Sequence, residues 1–354
     1  MNKISAKHFA LFIVGTIAIS FATYPSLFIS IGGRDTWISF IIAFLIFLVF
    51  SMYIIHVIDS KKPISINNLF TEGLSKTLGN ILLFIFSIGL LLTAIESASV
   101  EANSMKTNFF EDTPIWYILI FFLLPSLFII GKKFNTLVIF IIISISLLIF
   151  NGISLLLIIE KYKNIEFVLP VLGNGLNKFI IFSALLILGT LSSFSIVLPY
   201  IKFISKESKL KKHSFIIILI CGAISVYTVI SILSIFGPIR AANLFYPQAA
   251  ASQLVQIGGF LEFGELFFLL QTILGFFIKY TLCSYGIYLI YEKYIPNSKV
   301  FIIPYTILVF IASFFVANNN YNLFLILKYY QIINLFLLFI VPLLAFITYH
   351  IKKK

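Results

Sequence analysis

Ionisable residues lie inside two of the long apolar runs of this sequence. Lys279 stands near the middle of the run 266–291, and Glu96 lies inside the run 78–100. A charged group at membrane depth is costly to bury, so such residues usually face a cavity, a ligand or an opposite charge. Two interpretations of Lys279 stay open. It pairs with a carboxylate or with carbonyl groups as a structural lock, or it contacts a ligand directly.

Further polar side chains accompany both charges. The second half of the run 78–100 and its continuation carry polar residues that a lipid-facing helix would not tolerate: Thr93, Glu96, Ser97, Ser99, Glu101 and Asn103. One face of the run around Lys279 carries Thr281, Ser284, Tyr285 and Tyr288. Glu101, Glu262 and Glu265 fall near the predicted outer interface, where a solvated carboxylate is ordinary. Glu96 is the deeper carboxylate.

Composition excludes several classes of protein. Of 354 residues, 60% are apolar and only 11% are charged, whereas soluble domains carry about 25% charged residues. The net charge of +12 is scattered between apolar runs, which argues against a nucleic-acid binder. The sequence contains no HExxH, GxSxG, Walker A or CxxC motif, so an integral membrane enzyme is disfavoured, and we expect no cofactor and no metal. Cys221 and Cys283 lie in apolar runs and read as small hydrophobic residues.

The elements that must position these residues are membrane-spanning helices. A helix needs roughly 20 apolar residues to cross the bilayer, and the sequence offers ten such runs: 9–30, 37–58, 78–100, 115–131, 134–159, 179–201, 214–237, 266–291, 300–317 and 331–349. Most of the 25 Lys and Arg residues fall in alternate connecting segments that are cytoplasmic if both termini are inside. We therefore expect an all-α, multi-pass membrane protein with ten transmembrane helices and cytoplasmic termini.

Two pairs of matching segments indicate an internal repeat. Gly15 and Pro25 in the first span have the same spacing as Gly189 and Pro199 in the sixth. An Asn-Leu-Phe triplet at 68–70 also follows the second span, as one at 243–245 follows the seventh. Five spans are an odd number, so the halves would face opposite ways across the membrane. We predict one transmembrane domain, residues 1–354, with repeats at about 9–159 and 179–349, and short interfacial helices within 59–77 and 238–260 on opposite membrane sides.

The residues between each Gly and Pro predict interruptions of helices 1 and 6. Ala18 to Thr23 and Ser192 to Ser195 are rich in small and hydroxyl-bearing residues, and proline removes a backbone donor. Corresponding interrupted helices in two halves point to a central binding site. The alternative is that small residues simply allow close helix packing.

Three stretches resemble a known family. They are Gly33-Arg34-Asp35-Thr36-Trp37-Ile38-Ser39, then Leu261-Glu262 through Glu265-Leu266-Phe267, then Gly275-Phe276-Phe277-Ile278-Lys279 with Tyr285. They are similar to motifs of the spore germination permeases, the B subunits of nutrient germinant receptors within the amino acid, polyamine and organocation transporter superfamily. The resemblance implies a LeuT-like 5+5 inverted repeat in the spore inner membrane. It also implies a receptor A subunit, a lipoprotein C subunit and an amino acid or similar nutrient as partners. Where many members have a Gly-x-Gly-like break, this chain has Ala18-Ile19-Ser20.

The expected ligand pocket lies at the bilayer midplane and is bounded by four helices. Its predicted residues are Ala18, Ser20 and Ala22 of helix 1, Thr93 and Ser97 of helix 3, Ser192, Ser193 and Phe194 of helix 6, and Thr281 and Tyr285 of helix 8. Glu96, Glu101 and Lys279 are the intramembrane charges beside it. The preferred function is a germinant-sensing subunit, and the alternative is a true secondary amino acid permease.

Overall fold

Apolar helices make up most of the chain. The computed structural model describes residues 3–61, 64–132, 134–173, 175–205, 209–256, 263–295 and 297–353. In lipid, a helix satisfies its own backbone hydrogen bonds, which is why apolar runs of this length adopt it. The α-helices are α1 (Ala6–Thr23), α2 (Ser26–Gly32), α3 (Thr36–Lys61), α4 (Ile66–Gly73), α5 (Lys76–Asn108), α6 (Ile115–Ile130), α7 (Phe134–Ile158), α8 (Lys178–Leu191), α9 (Leu210–Asn243), α10 (Pro247–Gln253), α11 (Gly264–Tyr291), α12 (Ser298–Ala317), α13 (Asn320–Asn334) and α14 (Val341–Lys352).

Other helix types connect some of these elements. Short 3-10 turns cover Gly33–Asp35, Ile159–Tyr162 and Ile165–Val168, a long 3-10 helix follows α8, and a π-helical segment at Leu335–Ile340 joins α13 to α14. Several α-helices begin at a side chain that accepts a hydrogen bond from a free backbone N–H, as Ser75 does at α5.

Nine segments of the described chain are long and apolar enough to cross a membrane: Ala6–Thr23, Ser26–Ser60, Lys76–Asn108, Phe134–Tyr162, Lys178–Phe203, Leu210–Asn243, Gly264–Tyr291, Ser298–Ala317 and Asn320–Lys352. They coincide with nine of the ten predicted runs. The tenth, α6, is also apolar but has only 16 residues, or about 24 Å of helix, against a hydrocarbon core of about 30 Å. The chain is an integral multi-pass membrane protein, and the number of ten spans stays a prediction.

The outside of the helix bundle is apolar. Val49, Leu157 and Phe315 are each more than 70% exposed, and similar side chains project from most of the long helices. Large apolar residues in such numbers on an outer surface are typical of a face that contacts lipid tails.

The first membrane helix is interrupted at Tyr24 and Pro25. Residues 18–23 are regular α-helix, α1 ends at Thr23, and Tyr24 leaves the helical region with φ −126° and ψ 52°. The interruption therefore falls one residue beyond the predicted segment Ala18 to Thr23. Small and hydroxyl residues keep their backbone N–H groups and stay helical, whereas a proline disfavours the α conformation at the residue before it.

The sixth membrane segment changes its winding where α8 ends. A 3-10 helix runs over Ser192–Phe203 and contains Pro199, so the change begins at the start of the predicted segment Ser192 to Ser195. Further along, α9 bends at Gly237, whose φ of 70° suits a residue without a Cβ and which precedes Pro238.

The two short helices α4 and α10 lie at opposite ends of α11. The Asn67 Nδ2 atom of α4 donates to the carbonyl oxygen of Ile290, at the end of α11, over 2.8 Å. The chain leaving α10 is bonded through the Val255 carbonyl to the N–H of Gly264, at the start of α11. This placement agrees with the predicted short helices in 59–77 and 238–260.

Candidate functional site

A buried ion pair joins three helices in the middle of the bundle. Lys279 of α11 is fully buried, and its Nζ donates to Glu96 Oε2 of α5 and to Ser20 Oγ of α1, each over 2.8 Å. The Glu96 side chain is 2% exposed. The sequence predicted these three residues as parts of the site, and the structure brings them into direct contact.

The second oxygen of Glu96 also has donors. Tyr24 OH donates to Oε1 over 2.8 Å, and Ser20 Oγ lies 3.4 Å from the same oxygen. Gln331 Nε2 of α13 in turn donates to the Tyr24 hydroxyl over 3.3 Å. Removing two charges from water is expensive, and the expense is offset only when every charged atom finds partners. The Lys279–Glu96 pair meets this condition.

The interruption of the first helix supplies one of these donors. Tyr24 is the residue at which α1 ends, and its phenol reaches back to Glu96. The same proline that breaks the helix thereby positions a hydrogen-bond donor at the ion pair.

A second polar group continues from the ion pair along α13. Tyr330 OH donates to Thr93 Oγ1 over 3.0 Å, and Ser97 Oγ donates to the Thr93 carbonyl over 2.8 Å and lies 3.3 Å from Glu96 Oε2. Thr93 and Ser97, both predicted, therefore border the Lys279–Glu96 pair.

The 3-10 helix at Ser192–Phe203 contacts α13 and the π-helical segment. Ser192 Oγ lies 3.2 Å from the Asn334 carbonyl, and Ser195 Oγ donates to the Leu338 carbonyl over 2.5 Å. Just before this helix, α8 crosses α13 very closely at Gly189. A Cβ on Gly189 would lie only 2.0 Å from the Gln331 carbonyl oxygen. Only glycine fits at that crossing.

Several buried polar atoms of the 3-10 helix, α11 and α13 have no hydrogen-bond partner among the described residues. They are Ser193 Oγ, Thr281 Oγ1, Gln331 Oε1 and both side-chain polar atoms of Asn334. A buried polar group without a partner costs about 1–3 kcal/mol. Such groups are suited to bond a polar ligand that enters between the helices.

Other predicted pocket residues point away from Lys279. Ala18 and Ala22 lie two residues either side of Ser20 on α1, and Thr281 lies two residues beyond Lys279 on α11. Each is therefore about 200° around its helix from the residue that takes part in the ion pair. The Phe194 ring packs against Phe47 and Phe50 of α3 at centroid distances of 5.8 and 6.2 Å.

Tyr285 also lies apart from the ion pair. Its ring packs against those of Phe134 and Tyr200, at centroid distances of 6.0 and 6.3 Å. It stands six residues beyond Lys279 on α11, or about 9 Å along the helix axis.

The remaining carboxylates are in different surroundings. Glu265 Oε1 accepts a hydrogen bond from Gln253 Nε2 over 2.9 Å. Glu101 is 3% exposed and lines an apolar cavity outside the ion-pair cluster. Glu262 lies outside the described residues.

Sequence reasoning missed the contribution of α13. Tyr330, Gln331 and Asn334 are buried polar residues at the edge of the apolar run 331–349. The signal was present, because Gln331 and Asn334 are three residues apart and so share a helix face. Tyr24 was missed for another reason: it stands directly before Pro25 and just outside the predicted interruption Ala18 to Thr23.

The motif at residues 33–39 forms the turn between α2 and α3. Gly33 has φ 60°, a conformation that favours glycine. Asp35 Oδ1 accepts from the Leu172 N–H over 2.9 Å, and Ser39 Oγ donates to the Ile180 carbonyl over 2.9 Å. Asp35 therefore bonds the turn after α2 to the connection before α8, and Ser39 bonds α3 to α8 itself; neither takes part in the hydrogen bonds of the ion pair.

The fold and this cluster define a transporter-like, all-α membrane protein with an interrupted first helix and a charged centre. A family model described as spore germination protein, of the spore permease type, matches residues 3–322, and the chain belongs to this family. The resemblance noted from the sequence motifs is thereby confirmed. The family is of permease or receptor type and is not a known enzyme family. No curated protein matches the chain.

Proposed function

We propose that this protein is the membrane subunit of a spore nutrient-germinant receptor, and that it binds an amino acid beside Lys279 and Glu96. It would lie in the spore inner membrane with both termini in the cytoplasm, as a single transmembrane domain of two inverted repeats in a LeuT-like arrangement. Its partners would be the receptor A and C subunits. Family membership supports the germination role.

The observation that carries the proposal is the buried pair of opposite charges. An amino acid is a zwitterion whose carboxylate matches the donors of Lys279 and whose ammonium matches the oxygens of Glu96 and Tyr24. A ligand that inserts between the two side chains replaces one ion pair by two. Every buried charge then keeps a partner. An unpaired charge in the low-dielectric interior would be strongly destabilising.

Neighbouring groups would complete the pocket. The hydroxyls of Ser193 and Thr281 are buried without a partner among the described residues. Thr281 lies about 200° around α11 from Lys279, so its hydroxyl would bond the ligand only in a conformation in which the helices have moved. Ala18, Ala22, Phe194 and Tyr285 would enter the pocket wall only in a conformation in which α1 and the 3-10 helix have moved apart.

Insertion of a ligand also provides the signal. Lys279, Glu96 and Ser20 belong to three helices, so parting the ion pair changes how α1, α5 and α11 are held together. A ligand that binds the parted state more tightly shifts the population toward that state. Net transport is not required.

A secondary amino acid permease is the second candidate. It is supported by the interrupted first membrane helix beside a charged centre, which is the arrangement that alternating-access transporters use. Counterflow of labelled amino acid in proteoliposomes separates the two. Accumulation above protein-free vesicles indicates a permease, whereas binding without accumulation indicates a receptor.

The test of the binding site uses Thr281→Val. Spores that lack this gene are complemented with wild-type or variant copies and exposed to a panel of single amino acids. Valine keeps the shape of threonine and removes a hydroxyl that has no partner in the described chain, so protein abundance should not change. Loss of one hydrogen bond to the ligand should raise the concentration for half-maximal germination by up to about tenfold.

Thr228→Val is the matched control. Its hydroxyl is also buried, but it donates to the Ile224 carbonyl of its own helix, α9, and takes no part in the hydrogen bonds of Lys279 and Glu96. We expect this variant to respond like the wild type. An unchanged response of Thr281→Val at wild-type abundance would place the ligand elsewhere, and failure of the complemented wild type to respond to any nutrient would argue against the receptor role itself.

A further inference from the structure

A cavity lies between α5, α6, α7 and α11, apart from the ion-pair cluster. It has a volume of about 350 Å³ and is lined mostly by apolar side chains, including Met105, Phe121, Phe122, Phe140 and Phe277. Phe121 is 62% exposed on the surface of the bundle, so the cavity opens toward lipid. Its volume falls within the range of about 300–1,000 Å³ that small-molecule sites occupy.

One carboxylate lies in this apolar wall. Glu101 is 3% exposed, and its Oε2 atom has no hydrogen-bond partner within the described parts of the chain. It follows Glu96 by five residues on α5 and therefore points about 140° away from it around the helix. The ion-pair cluster and this cavity are thus on different faces of α5.

Tyr246 lies near Glu101 but does not neutralise it. Tyr246, between α9 and α10, donates its hydroxyl to Asn103 Oδ1 over 2.5 Å. Burial and the nearby charge of Glu101 raise the pKa of Tyr246 well above its usual value, so it remains a neutral phenol. The cavity therefore combines an unpartnered carboxyl oxygen, aromatic faces and apolar volume.

We propose that this cavity binds a hydrophobic organic amine in its ammonium form. The ammonium group would donate to Glu101, and its aromatic or short alkyl body would occupy the space between the phenylalanine rings. An ammonium gains from a carboxylate and from ring faces together. A neutral lipid tail fits the apolar wall but leaves the Glu101 carboxyl group without a partner, and a carboxylate or phosphate ligand has no donor to offer it.

Binding of radiolabelled phenethylammonium to the full chain in phosphatidylcholine nanodiscs tests the proposal. We expect saturable binding to the wild type and an affinity lower by about tenfold or more in Glu101→Gln, which loses a charge-assisted hydrogen bond. Unlabelled 2-phenylethanol, the neutral analogue, should compete at least about tenfold less well than the unlabelled amine. Glu111→Gln removes a nearby exposed carboxylate and should bind like the wild type.

A second variant keeps Glu101 and reduces the volume of the cavity. Phe140→Trp adds bulk to the cavity wall and should weaken binding of amine and alcohol alike, which keeps the test usable if Glu101→Gln does not fold. Equal binding of amine and alcohol, wild-type affinity in a folded Glu101→Gln, or no saturable binding would each overturn the proposal. Since nutrient response is not the readout, these results are independent of the proposed germinant site.

Discussion

Glu96 and Glu101 lie five residues apart on α5 and have opposite environments. Glu96 has Lys279, Tyr24 and Ser20 around its two oxygens, whereas one oxygen of Glu101 faces an apolar cavity without a partner among the described residues. Both are almost completely buried. The difference shows that depth in the membrane does not determine what a carboxylate does. Its direction around the helix does, because that decides which neighbouring helices can neutralise it.

The largest expected effect comes from breaking the satisfied pair. Lys279→Ala leaves Glu96 buried without its cation, which should destabilise the protein by about 3–5 kcal/mol. We expect a large fall in the amount of protein in the membrane and in the midpoint of thermal unfolding measured by fluorescence-detected size exclusion.

A double variant separates lost charge from lost packing. Lys279→Met with Glu96→Gln removes both charges and keeps side chains of similar length, so it should recover most of the stability. If the double variant is as unstable as Lys279→Ala, packing around Lys279 matters more than its charge, and the contrast with Glu101 loses its basis.

Tyr24→Phe sharpens the comparison from the other oxygen of Glu96. It removes the 2.8 Å hydrogen bond to a charged acceptor and the 3.3 Å hydrogen bond that the Tyr24 hydroxyl accepts from Gln331 Nε2, with an expected loss of about 1.5–3 kcal/mol. Thermal unfolding of Tyr24→Phe, Glu96→Gln and the combined variant gives the coupling energy between the two residues. Strictly additive effects would mean that the phenol does not stabilise the carboxylate.

The smallest effect is expected at the unpartnered carboxylate. Glu101→Gln is neutral and of similar size, so the free energy of unfolding should fall by no more than about 0.5 kcal/mol, the level typical of substitutions that break no interaction. The same unfolding assay checks this. If Glu101→Gln lowers the free energy of unfolding as much as Lys279→Ala does, a cationic side chain of the protein must pair with Glu101.

The charged centre could be predicted from the sequence only in part. Lys279 and Glu96 stand out because charged residues are rare within apolar runs, but their pairing was left open. Sequence spacing states where each residue lies along its own helix, and it does not state which helices touch. The contact spans 183 residues of chain, and it depends on how α5 and α11 rotate against each other.

The interruption of the first helix shows a similar limit. Pro25 marked the region correctly, yet the change of backbone falls at Tyr24 and leaves Ala18 to Thr23 helical. Small residues permit close packing, as at Gly189 against Gln331, and do not themselves end a helix. The polar residues of α13 were not predicted as part of the site, because they lie at the start of the apolar run 331–349. Polar residues at that position are ordinary at the boundary of a membrane span.

The winding of the sixth membrane segment has a consequence for distance. Twelve residues at Ser192–Phe203 form a 3-10 helix, which rises about 2.0 Å per residue and so extends over about 24 Å. The same twelve residues wound as an α-helix would extend over about 18 Å. Rewinding this one segment would draw its two ends together by about 6 Å and shear the bonds from Ser195 to Leu338 and from Tyr200 to Leu282. A local change of helix type would thus move one end of the segment by about the rise of one full helical turn.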